Sequence, residues 1–470
     1  MKEFLLCVVL FANYFSIFYV ALISFIYLMQ LIFASFHLGE YFKKIRYSEH
    51  DKLSKLDHML PISLLVPAYN EEMTIVDNVV NLLDLDYYEY EVIVVNDGSS
   101  DKTLEQLKEN FELVQINEPI RNSIKTKKIK AFYRSTKYPY LVVVDKENGG
   151  KADALNTGIN IARYPIFAAI DADSILEKDS LIKLVSPFFF DKHVMAVGGI
   201  IRIANGCKIE DGKLTQVKFP KKFWAKLQTV EYLRAFLTGR MGFDAMGMLL
   251  IISGAFGAFR KRDVISVGGY SNDCIGEDME LTLKLHKYAK EKKKKYVIKF
   301  VPDPICWTQA PEAYGDLRKQ RKRWHIGLIS SLFNNKKMTL NPKYGRIGMI
   351  AIPYFWIFEV LGPVIELLGY ILIPVSYLLN IIDLRFMLTF YMLSIVYGII
   401  LSIGTFMMEE FTFKKYDSIA DMYKMIFYSL VDNFGYRHIN NIFKIEGMLS
   451  YRKNKTNWGK IKRTSFEESK

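Results

Sequence analysis

Between residues 60 and 176 the chain alternates two patterns: short apolar runs that stop at polar turns, and amphipathic stretches that follow them. "PISLLVPAYN" is an apolar run closed by a Pro-Ala-Tyr-Asn turn, and "EEMTIVDNVVNLL" follows as an acidic-headed helix. "YEVIVVNDGSSDKTLEQL" repeats the plan with a β-branched run, an Asp-Gly turn, a Ser/Asp cap and a helix. "YLVVVDKENGGKADALNTGINIA" and "YPIFAAIDADS" continue it. Such alternation predicts an α/β domain, a mainly parallel sheet with helices on both faces, reaching to about residue 340. Ligands bind such sheets beyond the carboxyl ends of the strands. Asn70, Glu71, Asp97, Lys151, Asp171 and Asp173 all fall at or just after those ends.

The two ends of the chain follow a different pattern. Phe4 to Leu38 carries no charge, and a bilayer needs only about 20 apolar residues per helix. One span is expected near 14–38, with the piece before it either interfacial or a second membrane segment. "AIPYFWIFEVLGPVIELLGYILIPVSYLL" and "FMLTFYMLSIVYGIILSIGTFMM" are two further spans joined by "NIIDLR". Glu359 and Glu366, inside the first of these, need a partner helix or a polar path. "MYKMIFYSLVDNFGY" carries Lys424 and Asp432 and suits a membrane surface. The expected plan is therefore an N-terminal membrane segment (1–40), an α/β domain (55–340), two transmembrane helices (345–410), and an interfacial helix with a basic tail (417–470).

Charge changes this picture in one respect. The formal net charge is +13, gathered at "KKIR", at "KEKKKK" (290–295) and in the tail from Arg437 to Arg463. A basic balance suggests nucleic acid, but lysines beside membrane spans follow from the positive-inside rule, so no nucleic acid partner is expected. The same rule puts the α/β domain and the tail in the cytoplasm of a multi-pass plasma-membrane protein. Cys7, Cys207, Cys274 and Cys306 form no CxxC pair, which fits a reduced compartment without a zinc site. No GxxxxGK[ST] or GxGxxG is present, so P-loop and dinucleotide folds are disfavoured.

Three motifs carry candidate chemistry. In "IDADS", Asp171 and Asp173 lie two apart on an extended chain and face the same way. Either the pair is a solvated strand end with an Asx turn, or a divalent cation carried by a phosphorylated substrate lies between them. Glu277 and Asp278 open a helix, where the macrodipole alone favours acids. "QRKRW" (320–324) reads either as a basic membrane-surface helix or as a clamp. In a clamp the Arg grips phosphate and the Trp offers a flat face to a sugar.

Taken in order, "VPAYNEE", "VVNDGSSD", "GGKADALNTG", "DADS", "GED" and "QRKRW" resemble a processive family 2 glycosyltransferase over residues 55–340. That group includes bacterial cellulose, hyaluronan, chitin and poly-N-acetylglucosamine synthases. The resemblance implies a nucleotide-sugar-binding GT-A domain inserted between transmembrane helices. It implies inverting transfer from a UDP-sugar donor to a growing β-linked glycan; the alternative is transfer of one sugar to a lipid acceptor. Ala68, Tyr69, Glu71, Asp97, Lys151 and Asp171 would contact the nucleotide-sugar, and Asp173 with Asp171 would hold Mg2+ or Mn2+. Asp278, beside Glu277, would be the general base. Gln320, Arg323 and Trp324 would hold the diphosphate and the acceptor end. Three spans are few for an export channel, so membrane lipids, a second copy or an accessory export subunit are expected partners. The tail lacks the RxxxR and DxSxxG pair of cyclic-di-GMP-controlled synthases, and the insertion at 205–224 has no assigned role.

Overall fold

The computed structural model describes residues 2–48, 59–119, 121–210, 212–416 and 418–452. The end of the basic tail, 453–470, and the start expected for the α/β domain, 55–58, lie outside them.

Among the described residues twelve strands form. They are β1 (Ile62–Ala68), β2 (Tyr90–Asn96), β3 (Leu113–Ile116), β4 (Ile129–Ser135), β5 (Leu141–Lys146), β6 (Ile166–Ile170), β7 (Ser174–Leu176), β8 (Val194–Ile203), β9 (Lys208–Glu210), β10 (Lys213–Gln216), β11 (Phe256–Arg260) and β12 (Val297–Thr308). Ten of them make one sheet in the order β3-β4-β5-β2-β1-β6-β11-β8-β12-β7, and β9 with β10 makes a separate ribbon within the 205–224 insertion. The central strands β5, β2, β1 and β6 are parallel. Leu64, Val66, Val94, Val143 and Ala168 are fully buried along them, as the Val/Ile/Leu-rich runs require of strands covered on both faces.

Outside this parallel centre the sheet is mixed. β3, β4, β7 and β11 each run antiparallel to a neighbour. Alternating runs do not reveal strand direction, so these reversals were not expected. One of them positions the site. β11 pairs with β6 so that Phe256 lies opposite Ile170, which brings the loop before β11 to the carboxyl end of β6.

The N-terminal apolar segment is one continuous helix, Lys2–Ser48, about 70 Å long at 1.5 Å per residue. Among the described residues two helices are long and apolar enough to cross a membrane, Glu3–Lys43 and Leu384–Thr412. The stretch expected as a single span before "NIIDLR" is broken instead. Ile347–Val360 and Gly362–Leu378 meet at an angle of 42°, where Gly362 and Pro363 interrupt the backbone ladder. The apolar stretch 422–436 bends where Phe434 and Gly435 leave the helical range. After it, the helix Arg437–Ser450 packs along Tyr314–Asn334, the helix that carries "QRKRW".

Candidate active site

Level register sets the rim. Ala68 stands opposite Asn96, and Asn96 opposite Asp145, so the chain leaves β1, β2 and β5 at the same height. Ala68 is buried, and its carbonyl accepts a hydrogen bond from the Asp97 amide at 2.9 Å. Beyond it Asn70 turns with φ +56, and its side chain accepts from the Ser100 amide at 2.8 Å. Glu71 is buried, and its Oε2 accepts from the Thr74 hydroxyl at 3.0 Å. Tyr69 is 46% exposed, so its ring lies open above a turn that is otherwise tied down.

Asp97 is almost fully buried. Its carboxylate accepts from Lys146 Nζ at 2.5 Å and from the amides of Gly149 and Gly150 at 3.0 and 2.7 Å. Lys146 also pairs with Asp153 at 2.6 Å. This buried lysine was not singled out from sequence. Its only signal is a charge closing the apolar run "LVVVDK". Asp97 thereby fixes the glycine turn at the head of Lys151–Ile161. A Cβ on Gly149 would lie 2.6 Å from the Asp153 carboxyl, so the turn requires glycine there.

At the end of β6 the structure joins three motifs. Lys151 Nζ is ion-paired with Asp171 Oδ1 and lies 3.4 Å from the Gly254 carbonyl. The Gly254 amide donates to Asp278 Oδ2 at 3.2 Å. The glycine turn, the Asp171 strand end and the Glu277–Asp278 helix start therefore meet through one lysine and one glycine. Burial alone would lower the Lys151 pKa, but the charges of Asp171, Glu277 and Asp278 outweigh it and raise it. Glu277 is 4% exposed. Burial, reinforced by the Asp278 charge and opposed by Lys151, pushes its carboxyl up to about 8.

Asn78 steadies the aspartate turn, donating to the carbonyls of Asp171 at 3.2 Å and Ser174 at 2.6 Å. Asn78 and Asn81 sit three apart on the buried face of their helix, a pattern from which sequence reasoning could have found them. Asp173 is buried and Asp171 is partly exposed. Among the described residues no group of three or more His, Cys, Asp or Glu side chains gathers as a closed metal cage. Two carboxylates at a strand end still fit a hard divalent ion, which commonly takes one or two carboxylates and completes its shell with substrate phosphates and water.

Against the acidic pair stands Tyr314–Asn334. Gly276, just before the acidic pair, touches Gly327 of this helix, and a Cβ on Gly276 would come within 2.7 Å of the Gly327 carbonyl oxygen. Ser331 Oγ donates to the carbonyls of Gly276 and Gly327 at 3.0 and 2.9 Å, fastening the crossing. Within "QRKRW" the side chains divide. Arg321 is buried on Glu231 at 2.6 Å and Tyr436 at 3.3 Å. Its guanidinium lies 4.4 Å from the centre of the Trp324 ring, whose remaining surface leaves the residue 44% exposed. The charge of Arg323 is felt at Glu277. Gln320 is buried, with its Oε1 unbonded among the described residues.

Arg240 was missed by the sequence reading. It lies on the helix continuing from Phe223–Leu233, with its guanidinium 3.8 Å from the centre of the Phe236 ring. Burial lowers its pKa to about 10 against the pull of Asp278. Tyr232 and Phe236 precede it at four-residue steps, and Tyr232 packs 6.2 Å from Trp324. A stripe of this spacing was legible in "EYLRAFLTGR".

A mixed sheet with a parallel centre, acids gathered at the strand ends, and an Arg/Trp helix against the acidic pair define a sugar-transfer enzyme of GT-A type. The comparisons agree. Residues 63–256 match the family described as Glycosyl transferase family 2, and residues 166–408 match Glycosyl transferase family group 2. The chain belongs to glycosyltransferase family 2. It is 32% identical over 324 residues to a poly-beta-1,6-N-acetyl-D-glucosamine synthase of Staphylococcus aureus, covering 68% of each chain. It is also 32% identical over 283 residues to the synthase of the same name from Staphylococcus epidermidis, covering 60% of this chain and 58% of that one. A mannosyltransferase from Pyrobaculum calidifontis, solved with GDP-mannose and Mn2+, shares the fold. Its TM-score is 0.50 at 17% identity, covering 87% of this chain and 99% of that one. The expected resemblance to processive members of the family is borne out.

Proposed function

We propose that this chain is a membrane-embedded, inverting polymerase that adds N-acetylglucosamine from a UDP donor to a growing β-linked glycan on the cytoplasmic side. The observation that carries this reading is the single cluster Asp171–Lys151–Gly254–Asp278, which puts the DxD strand end beside the base helix. The names of its relatives supply the sugar and the β-1,6 linkage.

In this reading Tyr69 and the Ala68–Glu71 turn receive the uridine, and Asp97 holds the glycine turn from which Lys151 projects. Asp171 and Asp173 would hold a divalent ion, which would supply positive charge beside the departing UDP. Lys151 adds a fixed positive charge beside the same phosphates. Asp278 takes the proton from the acceptor hydroxyl as that oxygen attacks the anomeric carbon, and attack opposite the UDP inverts the configuration. Glu277, neutral at pH 7, lets Asp278 carry the negative charge alone. Trp324 faces the terminal sugar and Arg323 the diphosphate.

The test incubates membranes containing the full chain with a panel of labelled UDP-sugars, with and without EDTA, and sizes the product. High-molecular-weight, metal-dependent product from UDP-N-acetylglucosamine is expected. A single labelled sugar in the lipid fraction would overturn the polymerase reading. Full activity in chelator would overturn the metal pair.

A further inference from the structure

The helix Glu277–Glu291 carries Asp278 at one end and a lysine-rich turn at the other, some 22 Å away at 1.5 Å per residue. At that turn Lys293 takes φ +52, and the Lys294 amide donates to the Ala289 carbonyl at 2.9 Å. A second turn lies against it. There Leu340 takes φ +52, and its amide donates to the Gly348 carbonyl at 2.9 Å. A Cβ on Gly348 would lie 2.6 Å from two carbonyl oxygens of that turn, so only glycine allows it to close. The Tyr344 hydroxyl donates to Glu291 Oε1 at 3.0 Å and locks the two turns together.

The joint face is basic and apolar. Lys292, Lys293, Lys295, Lys336, Lys337 and Lys343 are exposed. None of the six has a carboxylate within ion-pair distance among the described residues. Lys294 is tied to Asp263 at 3.8 Å and to the Tyr288 hydroxyl at 2.8 Å. Glu291, the acid beside the lysines, is taken by Tyr344. Leu340, Met349 and Ile350 stand exposed at 65, 43 and 53% beside these lysines. Met349 and Ile350 belong to Ile347–Val360, the first limb of the broken apolar helix.

We propose that this face docks on the anionic lipid headgroups of the bilayer that holds the chain. Leu340, Met349 and Ile350 enter the acyl boundary while the lysines neutralise headgroup charge. Two features select this occupant: unpaired positive charge, and direct continuity with an apolar membrane helix. Each lysine near such a surface contributes independently, and salt weakens all of them. The contact would hold the far end of the base helix at the membrane. The inference rests on the membrane reading of the chain.

The test places the full chain in nanodiscs of phosphatidylcholine mixed with phosphatidylglycerol and measures its association with spin-labelled forms of each lipid. About a tenfold preference for phosphatidylglycerol at 0.1 M salt is expected, largely lost at 1 M. The variant K292Q/K293Q/K295Q/K336Q/K337Q/K343Q should insert normally, keep sugar transfer and lose the preference. Insertion of the wild-type chain with no lipid preference, or an unchanged preference in the variant, overturns the proposal. Competition by soluble polyglutamate would also overturn it, because the face would then fit an acidic protein. Failure of the chain to enter nanodiscs at all would overturn the membrane reading itself.

Discussion

The sheet rim and the helical frame hold their functional groups in different ways. At the rim, backbone geometry does the placing: level strand ends, glycine turns and amide-to-carboxylate bonds present Asp97, Asp171 and Asp278. In the frame, ion pairs between segments far apart in sequence do it. Arg202 on β8 meets Glu409 near the end of the Leu384–Thr412 helix at 2.6 Å, both almost fully buried. Arg437 meets Glu366 at 2.7 Å, and Arg318 meets Glu446 at 2.7 Å. Asp278, held by a backbone amide, can therefore be changed with the fold left standing, whereas removing Arg202 leaves Glu409 buried without its partner.

The largest expected effect tests the rim. Asp278→Asn keeps the shape and one of the two acceptor oxygens that the Gly254 and Met279 amides use, but cannot accept a proton, so transfer should fall by about 10²–10⁴-fold. UDP affinity, measured by calorimetry, should stay within a few fold, and near-normal turnover would remove Asp278 from the base role. Trp324→Ala comes next. Arg321 stays anchored on Glu231 beneath the ring, so the helix should persist while chain extension stops. Normal polymer length in that variant would make Trp324 a surface anchor and not a sugar platform.

The rim was largely legible in sequence because strand ends announce themselves through turn residues. Asp171 stood out for that reason, and Asp278 as one of two acids at a helix start. What was not legible depended on pairing across long separations. Nothing local in "IISGAFGAFRK" says that β11 runs against β6 and so brings Gly254 to Lys151. Nothing in "RHINNIFKIEGMLS" says that Glu446 grips Arg318 on the helix that carries "QRKRW". The broken apolar helix did carry a signal, the Gly-Pro at 362–363, inside a run whose hydropathy reads as one span.

The frame is tested by Arg202→Met. It leaves Glu409 buried without its partner, which should destabilise the protein by about 3–5 kcal/mol. Adding Glu409→Leu should restore most of that, as thermal unfolding in detergent would register. Equal losses from the single and the double variant would mean that the pair couples nothing. Gly327→Ala probes the seam between rim and frame. Its methyl would lie 3.0 Å from Gly276 Cα, an overpacking worth about 1–3 kcal/mol. The base helix should shift against the Trp324 helix, lowering kcat while KM for the donor holds. A rise in KM alone would place the strain at the nucleotide instead.

The remaining test is a pH dependence of stability. Glu277 ionises at about 8 in the folded chain, against an ordinary value of 4.5. Between those two values the unfolded chain gives up a proton that the folded chain retains, so raising the pH favours unfolding. The contribution is complete below pH 4.5, declines through neutrality and is gone above about pH 8. Glu277→Gln keeps the buried shape with no proton to lose, so its melting temperature should fall less steeply between pH 5 and 8. The rest of the cluster is the same in both proteins, so the difference between the two profiles isolates Glu277. Parallel profiles would show that Glu277 is ionised in the folded state. The cluster would then hold three carboxylates, Asp171, Glu277 and Asp278, around one lysine, and Asp278 would no longer be the lone anion of its helix start.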